Sequence, residues 1–319
     1  MTVRRHPRRG RPARGAALLI AMVLLSVVAT LAAGMVWQQW KAVQVETAER
    51  ARVQTVWILN GALDWARLIL REDARSGHPT SLDEPWATPL AEARLSTFLA
   101  ADQNNNAEDN GPEAFLSGNI ADAQARYNLR NLLTDGKVDP RQLGVLQRLC
   151  TSVGLPTDVA GRLANGLLAS AGGSEADAPL APQQMDDLVW LGLDAATVAR
   201  LSTVTVLLPV PTPINLNTAS REVLAAVIEG IDLGGADRLV QARSRKPLKT
   251  VQEARDLLGQ GVVIGERDGD VKSAYFEVHG RLRLEQRLMD TISLVERRGG
   301  LDVVAIQRRR VAGVMAPNR

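Results

Sequence analysis

A single uncharged stretch near the amino terminus limits what this chain can fold into. No charged residue occurs from Ala16 to Trp40, and most of the stretch is apolar. About 20 such residues, each rising about 1.5 Å along a helix, span the roughly 30 Å hydrocarbon core of a bilayer. Residues 1–15 contain six arginines and no acidic residue, which is typical of a segment held on the cytoplasmic side. The sequence therefore predicts one membrane-spanning helix.

Two other interpretations of this stretch remain open. A cleaved secretory signal also has a basic start, but its apolar core usually runs only about 7–15 residues before a small-residue cleavage site. Such a site occurs here near Ala32 or Ala33. An ordinary single-pass anchor with an uncut amino terminus is the second alternative.

The junction at Gly15 favours a third interpretation. A basic leader that ends in Gly15 and passes directly into an apolar helix resembles the class III leaders that prepilin peptidases cut. The resemblance implies cleavage between Gly15 and Ala16, with methylation of the new amino terminus. The fifth mature residue is then Ile20, where most pilin-like proteins carry a glutamate that neutralises a neighbouring subunit's amine. A subunit without that carboxylate suits a tip or initiating position.

Apolar residues continue at helical spacing beyond the predicted membrane span. Val53, Trp57 and Leu70 belong to this pattern, with charged residues between them. Gly77 and Pro79 are typical of a helix end. The pattern predicts a helix of about 50 residues, half in lipid and half amphipathic.

Two motifs in the following region carry a more specific resemblance. One is SLDEPWATPL at residues 81–90, and the other is GNIADAQARYNLRNLL at 118–133. Together with the Gly15 junction they resemble the minor pseudopilin K of the type II secretion system, also called general secretion pathway protein K. The matching residues are Glu84, Pro85, Trp86, Asp122, Arg126, Tyr127, Asn128, Leu129, Asn131 and Leu132.

The resemblance implies an α+β fold of the type IV pilin kind, with a large all-α insertion. The expected divisions are a leader at 1–15, a transmembrane half-helix at 16–40, pilin-like parts at 41–130 and 271–319, and the insertion at 131–270. It also implies a non-enzymatic subunit at the tip of a periplasmic pseudopilus, anchored in the bacterial inner membrane. Expected partners are pseudopilins of the I and J types, the major pseudopilin, prepilin peptidase and membrane lipid.

The region from about 134 to 270 has the pattern of helices separated by turns, with Thr157 and Thr218 as expected helix caps. Within it, INLNTAS followed by IEGIDLGGADRLVQAR is similar to a helix-hairpin-helix motif. Gly230, Gly234 and Gly235 supply the turn, and basic residues such as Arg243 and Lys246 follow it. The motif also occurs in membrane-anchored DNA receptors, so such a receptor is the alternative function. Nearby acidic residues argue against phosphate binding; they are Glu229, Asp232 and Asp237.

The carboxyl end changes to a period of two. Three alternating runs, separated by short links that include Gly299-Gly300, predict three antiparallel strands with one buried face. The first strands of the same sheet are expected near 118–130.

Composition and motif content exclude several classes of function. The net charge is only +3, and the chain has three Phe and two Tyr, which is a poor supply for base stacking. Cys150 stands alone, so no intramolecular disulfide is possible, and no catalytic motif occurs. One oxygen-rich loop is a weak candidate for Ca²⁺, which the family resemblance also suggests; its residues are Asp102, Asn104, Asn106, Glu108 and Asp109.

Overall fold

The computed structural model describes residues 14–95, 113–172, 179–259, 261–284 and 287–311. The chain divides into two compact units, residues 1–57 and residues 58–319, which are described separately below.

The first unit consists, in its described part, of the beginning of one long helix, α1, which extends from Arg14 to Ser76. Its apolar side chains are exposed from Leu18 to Val45. The helix is long and apolar enough to cross a bilayer, since its mean hydropathy reaches 2.5 over 18 consecutive residues. At 63 residues it is longer than the roughly 50 predicted. Its end agrees with the prediction, because Gly77 leaves the helical region with a φ of +68°.

The second unit is built on an antiparallel sheet of five strands in the order β1-β2-β9-β10-β11. The strands are β1 (Leu90–Arg94), β2 (Ala114–Asp122), β9 (Tyr275–Leu284), β10 (Arg287–Arg298) and β11 (Asp302–Val311). The three carboxyl-terminal strands follow the predicted alternating runs closely, and residues 299–301 link the last two. Alternation survives in the fold because successive strand residues point to opposite faces of the sheet.

The last turns of α1 cover one face of this sheet. Ala66 and Leu70 pack there with Trp86, Phe276 and Val295 in one buried cluster. A short 3-10 helix at Pro85–Ala87 brings Trp86 into this cluster. This packing of apolar helix residues on apolar sheet residues forms a helix-on-sheet layer.

Between β2 and β9 the chain forms a mostly helical region. Its helices are α2 (Pro140–Ser152), α3 (Asp158–Ala171), α4 (Ala195–Leu201), α5 (Arg221–Val227), α6 (Leu233–Arg245) and α7 (Val251–Leu258). Short 3-10 segments lie at Ala123–Ala125, Leu129–Leu132 and Met185–Leu191, and two-residue strands occur at β3 (Tyr127–Asn128), β4 (Leu133–Thr134), β5 (Lys137–Val138), β6 (Thr205–Val206), β7 (Ile214–Asn215) and β8 (Gly269–Asp270). The region has its own apolar core, drawn from residues between Tyr127 and Val271. Cys150 lies in that core.

The helical region packs on the opposite face of the sheet from α1, at the end where β9 begins. The contact is a small apolar cluster of Ala123, Val206, Leu208, Tyr275 and Leu294. The sheet therefore has buried residues on both faces here, and the prediction of one buried face was wrong. Tyr275 and Phe276 are adjacent yet both buried, which a sheet covered on one side does not allow.

Two local predictions were also wrong. The strand predicted near 118–130 ends at Asp122, because the next three residues form a 3-10 helix, and the Asp122 side chain caps this helix by accepting the Gln124 N–H. Thr157 stands at the N-cap of α3, as predicted, although its side chain makes no capping hydrogen bond, and the cap of α5 is Ser220 rather than the predicted Thr218. Capping depends on the backbone angles at one residue, which sequence spacing does not specify.

Candidate functional site

The first predicted motif lies at the junction of α1 and the sheet. Glu84 accepts hydrogen bonds from the indole N–H of Trp86 at 2.6 Å and from the backbone N–H of Ser81 at 3.2 Å. The Trp86 ring meets Phe276 edge to face, with 5.2 Å between ring centroids. Burial raises the pKa of Glu84, and the nearby Asp73 carboxylate raises it further, although these two hydrogen bonds lower it. Glu84 therefore fixes the indole in the core.

Beside this motif a buried ion pair connects α1 to the sheet. Arg297 on β10 lies 2.6 Å from Asp73 on α1, and both side chains are nearly buried. The same guanidinium donates to the Thr80 hydroxyl at 2.8 Å and stacks 4.4 Å from the Phe276 ring centroid. Thr80, which directly precedes the first motif, is thereby joined to β10.

Asp122 is the centre of the second motif. It ends β2, and its side chain is completely enclosed. Its Oδ2 atom accepts hydrogen bonds from the hydroxyls of Thr218 and Ser273, each at 2.6 Å, and from the amide of Asn215 at 2.8 Å. Its Oδ1 atom accepts the backbone N–H of Gln124 at 2.8 Å. Burial raises the pKa of Asp122, while these hydrogen bonds act in the opposite direction.

The same network reaches from the helical region to the end of α1. The Asn215 amide also donates to the Thr80 carbonyl at 3.1 Å. Gln124 joins the two parts in a second way, because its amide donates to the Pro213 carbonyl and its oxygen accepts the backbone N–H of Ala274 at 2.6 Å. The helical region, the chain just after α1 and the start of β9 therefore share one polar cluster.

Arg126 forms the next contact between the helical region and the sheet. Its guanidinium lies 2.6 Å from the Glu277 carboxylate on β9, and about a fifth of each side chain is exposed. Burial alone would raise the pKa of Glu277, but hydrogen bonding to His279 and the charge of Arg126 lower it to about 2. Glu277 is thus a carboxylate whose ionised form the fold favours.

The remaining motif residues act within the helical region. The Tyr127 hydroxyl donates to Gln142 at 3.0 Å, and burial raises the pKa of Tyr127. Asn128 donates to the Val210 carbonyl at 2.7 Å, and Asn131 donates to the carbonyl of Thr212 and accepts its N–H. Leu129 and Leu132 are fully buried. Asn128 and Asn131 thus hold residues 210–212, which are not part of a helix or strand, against the start of the helical region.

Several members of this cluster were not singled out from the sequence. Asn215 and Ser273 bond to Asp122 and Glu277 pairs with Arg126 across the fold, while Thr218, predicted only as a helix cap, also bonds to Asp122. The signal for Asn215 was present, because a polar side chain inside the apolar run INLNT needs a buried partner. The signal for Ser273 was absent, since a serine before a strand is ordinary.

The hairpin between α5 and α6 confirms the predicted pair of helices but not a phosphate site. Gly230 holds a φ of +88° at the turn, as predicted for a glycine there. Asp232 caps α6, accepting the backbone N–H of Gly235 at 2.7 Å, so a carboxylate already occupies the position that an anion would take. Arg243 is also occupied by contacts within the fold rather than free to bind phosphate, since its guanidinium donates to the carbonyls of Leu216 and Ala219 at 2.5 Å. Burial lowers the pKa of Arg243 to about 10.

The other predicted site residues lie on α1 or outside the described residues. The backbone of Gly15 and Ala16 falls in the first turn of α1, and Ile20 is exposed on the same helix. The candidate calcium ligands Asp102, Asn104, Asn106, Glu108 and Asp109 lie outside the described residues. Within the described ranges no group of three or more His, Cys, Asp or Glu residues is arranged to hold a metal.

An apolar groove of about 320 Å³ runs between α1 and the sheet. Leu63 and Ile69 line it on the helix, and Gly118 and Gly280 lie opposite on the sheet. Since apolar side chains dominate its lining, the groove offers packing surface rather than reacting groups. The described site is accordingly a set of buried polar contacts that hold elements together.

Comparison with known proteins agrees with this geometry. The family model described as "Type II secretion system (T2SS), protein K" matches residues 214–272, which contain Asn215, Thr218 and the hairpin. A curated relative, the type II secretion system protein K of Pseudomonas aeruginosa, is 29% identical and covers 91% of this chain and 90% of its own length. The resemblance to the protein K family is confirmed.

A solved structure shares the fold. A chain in the crystal structure of the GspK-GspI-GspJ complex from enterotoxigenic Escherichia coli is 20% identical, with a TM-score of 0.64. The match covers 83% of this chain and 99% of that chain. The predicted fold class, a pilin-like helix and sheet with a helical insertion, is thereby confirmed. The buried Asp122 cluster lies where the helical insertion of this fold meets the sheet.

Proposed function

We propose that the chain is a minor pseudopilin at the tip of a type II secretion pseudopilus. The observation that carries this proposal is α1, which combines an exposed apolar amino-terminal part with a carboxyl-terminal part buried on the sheet. Such a helix provides both a membrane anchor and an assembly surface from one element. In this function the protein stands in the bacterial inner membrane, with the sheet and helical region in the periplasm.

The tip position has two supports. Ile20 stands at the fifth residue after Gly15, so no carboxylate is available at that position to neutralise the amine of a subunit ahead. The helical region also adds a second layer on the sheet face opposite α1, which is bulk that a closely packed shaft accommodates poorly. Both features suit a subunit that starts the fibre and nucleates assembly with I-type and J-type pseudopilins, as the composition of the GspK-GspI-GspJ complex suggests.

The first experiment is intact-mass and amino-terminal analysis of the protein from membranes that contain a prepilin peptidase. We expect a mature chain beginning at methylated Ala16, and we expect Gly15→Leu to block cleavage. Gly10→Leu, in the same leader but away from the junction, is the matched control and leaves cleavage intact. An uncut wild-type chain, or one cut near Ala33, contradicts the proposal.

Assembly is tested separately, by co-purification of the processed chain with I-type and J-type pseudopilins. We expect a stable complex of all three that forms before the major pseudopilin is added. A processed chain that binds only the major pseudopilin would show a pilin-like subunit that does not nucleate the tip. The calcium site remains a proposal too, and calcium titration of the purified chain by calorimetry tests it.

A further inference from the structure

The chain passes between the sheet and the helical region at two places that lie side by side. It leaves at Asp122, the last residue of β2, and returns at Ser273, just before β9. In the ladder between these strands Asp122 faces Phe276. Two adjacent covalent connections form a hinge, because a few residues absorb the change in backbone angles when one body turns on another.

Each side of this hinge has a separate apolar core. The core of the helical region is drawn from residues between Tyr127 and Val271, and the core beneath α1 contains Trp86 and Phe276. The apolar contact between the two bodies is much smaller, consisting of five buried residues centred on Tyr275. Burial of so little apolar surface gives a correspondingly weak, non-directional attraction.

The Asp122 carboxylate contacts both connections of the hinge and the loop before α5. It bonds to Ser273 on the returning connection and to Thr218 and Asn215 in the loop before α5. Since hydrogen bonds are directional, four donors on one fixed carboxylate define the orientation of the loop relative to β2. The apolar cluster alone does not define it, and other polar contacts between the two bodies, such as Arg126 with Glu277 and Gln184 with Gln307, each join one pair of side chains.

Among the described residues, all the donors to this carboxylate are neutral groups: two hydroxyls, one amide and one backbone N–H. A buried carboxylate without a cationic partner pays a desolvation penalty that offsets much of its hydrogen-bond energy. Its contribution is therefore to a unique arrangement more than to overall stability.

We propose that Asp122 is a positioning residue that locks the helical region in one orientation on the sheet. Without its carboxylate the helical region turns about the paired connections at Asp122 and Ser273, while both cores stay folded. This inference concerns the fold of the single chain and stands independently of the proposed function.

The test uses the full chain in detergent micelles and compares Asp122→Ala and Asp122→Asn with wild type. Hydrogen exchange is followed by mass spectrometry in two sets of segments. The first set reports on the hinge and consists of residues 204–208 and 274–278, which pack beside the connections at Asp122 and Ser273. The second set is α2 and α3 in the helical region. We expect exchange at the hinge to rise at least tenfold in Asp122→Ala, with α2 and α3 unchanged. Asp290→Asn is the matched control, because this carboxylate pairs with Arg281 on the same sheet away from the hinge.

Cys150 reports whether the helical core itself opens. Burial raises the pKa of its thiol to about 11, so a folded core keeps it unreactive toward maleimide. We expect no labelling in the Asp122 variants. Labelling that rises together with hinge exchange would show that Asp122 maintains the core rather than its orientation, and would overturn the proposal, as would unchanged exchange at the hinge.

A crosslink distinguishes an orienting role of Asp122 from a general contribution to stability. Gln184 in the helical region contacts Gln307 on β11, 3.3 Å apart. Cysteines at these two positions, with Cys150→Ala, are joined by a short bismaleimide. We expect the crosslink to restore wild-type protection at the hinge in Asp122→Ala. A crosslinked variant that stays unprotected contradicts an orienting role.

Discussion

The hydroxyl of Ser273 donates a 2.6 Å hydrogen bond to the carboxylate of Asp122, 151 residues earlier in the chain. This bond joins the two connections through which the helical region enters and leaves the sheet. Around it, Asp122 of the second family motif, Asn215 and Thr218 of the family-model match, and Thr80, which directly precedes the first motif, meet in one buried cluster. The residues that carry the family resemblance thus hold the architecture together rather than form a reactive centre.

The Arg126–Glu277 pair yields a prediction for stability. Arg126→Ala leaves a largely buried carboxylate without its cation, and we expect the free energy of unfolding to fall by about 3 kcal/mol. The double variant Arg126→Met with Glu277→Leu should lose less, because it removes the unpaired charge. Chemical denaturation of wild type, Arg126→Met, Glu277→Leu and the double variant measures the coupling. A double variant as unstable as the sum of the single variants would argue against the pair.

The same carboxylate predicts a pH dependence. Because the pKa of Glu277 is lowered to about 2 from an ordinary 4.5, its stabilisation is complete above pH 4.5 and is lost as the pH falls toward 2. We expect this contribution to be about 3 kcal/mol, and Glu277→Gln to remove it from the pH profile of the unfolding free energy. Asp122 changes the unfolding free energy with pH in the opposite direction, since its raised pKa gives stabilisation at low pH that is lost as the pH rises. Asp122→Asn should therefore change the profile in the other direction.

Trp86 is expected to dominate the core beneath α1. It is 1% exposed and packs edge to face on Phe276, so Trp86→Ala should cost about 3–5 kcal/mol through lost burial and a cavity. Trp190→Ala is the control, because that side chain is 53% exposed and should change stability by less than about 0.5 kcal/mol. Thermal unfolding in detergent measures both. Equal effects would show that Trp86 is not a core residue.

Arg243 separates a structural role from DNA binding. Because its guanidinium bonds to two backbone carbonyls, Arg243→Ala should lower stability by about 2 kcal/mol. Lys246→Ala, at an exposed residue three positions along, should leave stability unchanged. We expect neither variant nor wild type to bind duplex DNA in a salt-dependent manner, as measured by fluorescence anisotropy. Salt-dependent binding that Lys246→Ala abolishes would revive the DNA-receptor hypothesis.

Gly230 is expected to be intolerant of any side chain. Its φ is +88°, and an added Cβ would lie 2.6 Å from the Gly261 carbonyl oxygen. Gly259 has a similar φ of +89° but open space around its Cβ position. Gly259→Ala should therefore cost only the backbone strain, about 1–2 kcal/mol, and Gly230→Ala clearly more. Equal melting temperatures for the two variants would show that the backbone of the hairpin shifts enough to relieve the clash with the Gly261 carbonyl oxygen.

Much of the fold could be predicted from the sequence because its signals are local. The uncharged stretch before Trp40 predicted the first part of α1, and strict alternation after Tyr275 predicted the last three strands within a residue or two. In both cases the spacing of apolar residues repeats over ten or more positions, so one misplaced residue does not change the pattern.

The buried cluster could be predicted only in part. Asp122, Arg126 and the two asparagines were recognised through the family resemblance, but their partners were not. Thr218 was taken for a helix cap, whereas its hydroxyl bonds to Asp122 and Ser220 caps the helix. A threonine two residues from a serine offers the same local chemistry at both positions, and only the backbone angles distinguish them.

The sequence by itself determined the membrane-spanning length, the strand periodicity and the glycine turns, since each depends on residues close together in the chain. Only the tertiary structure decided what the buried polar side chains do. Asn215, Thr218 and Ser273 lie 93, 96 and 151 residues from Asp122, and nothing in their local sequence specifies that distance. Their pairing follows from burial, because a carboxylate removed from water must find donors wherever the fold brings them.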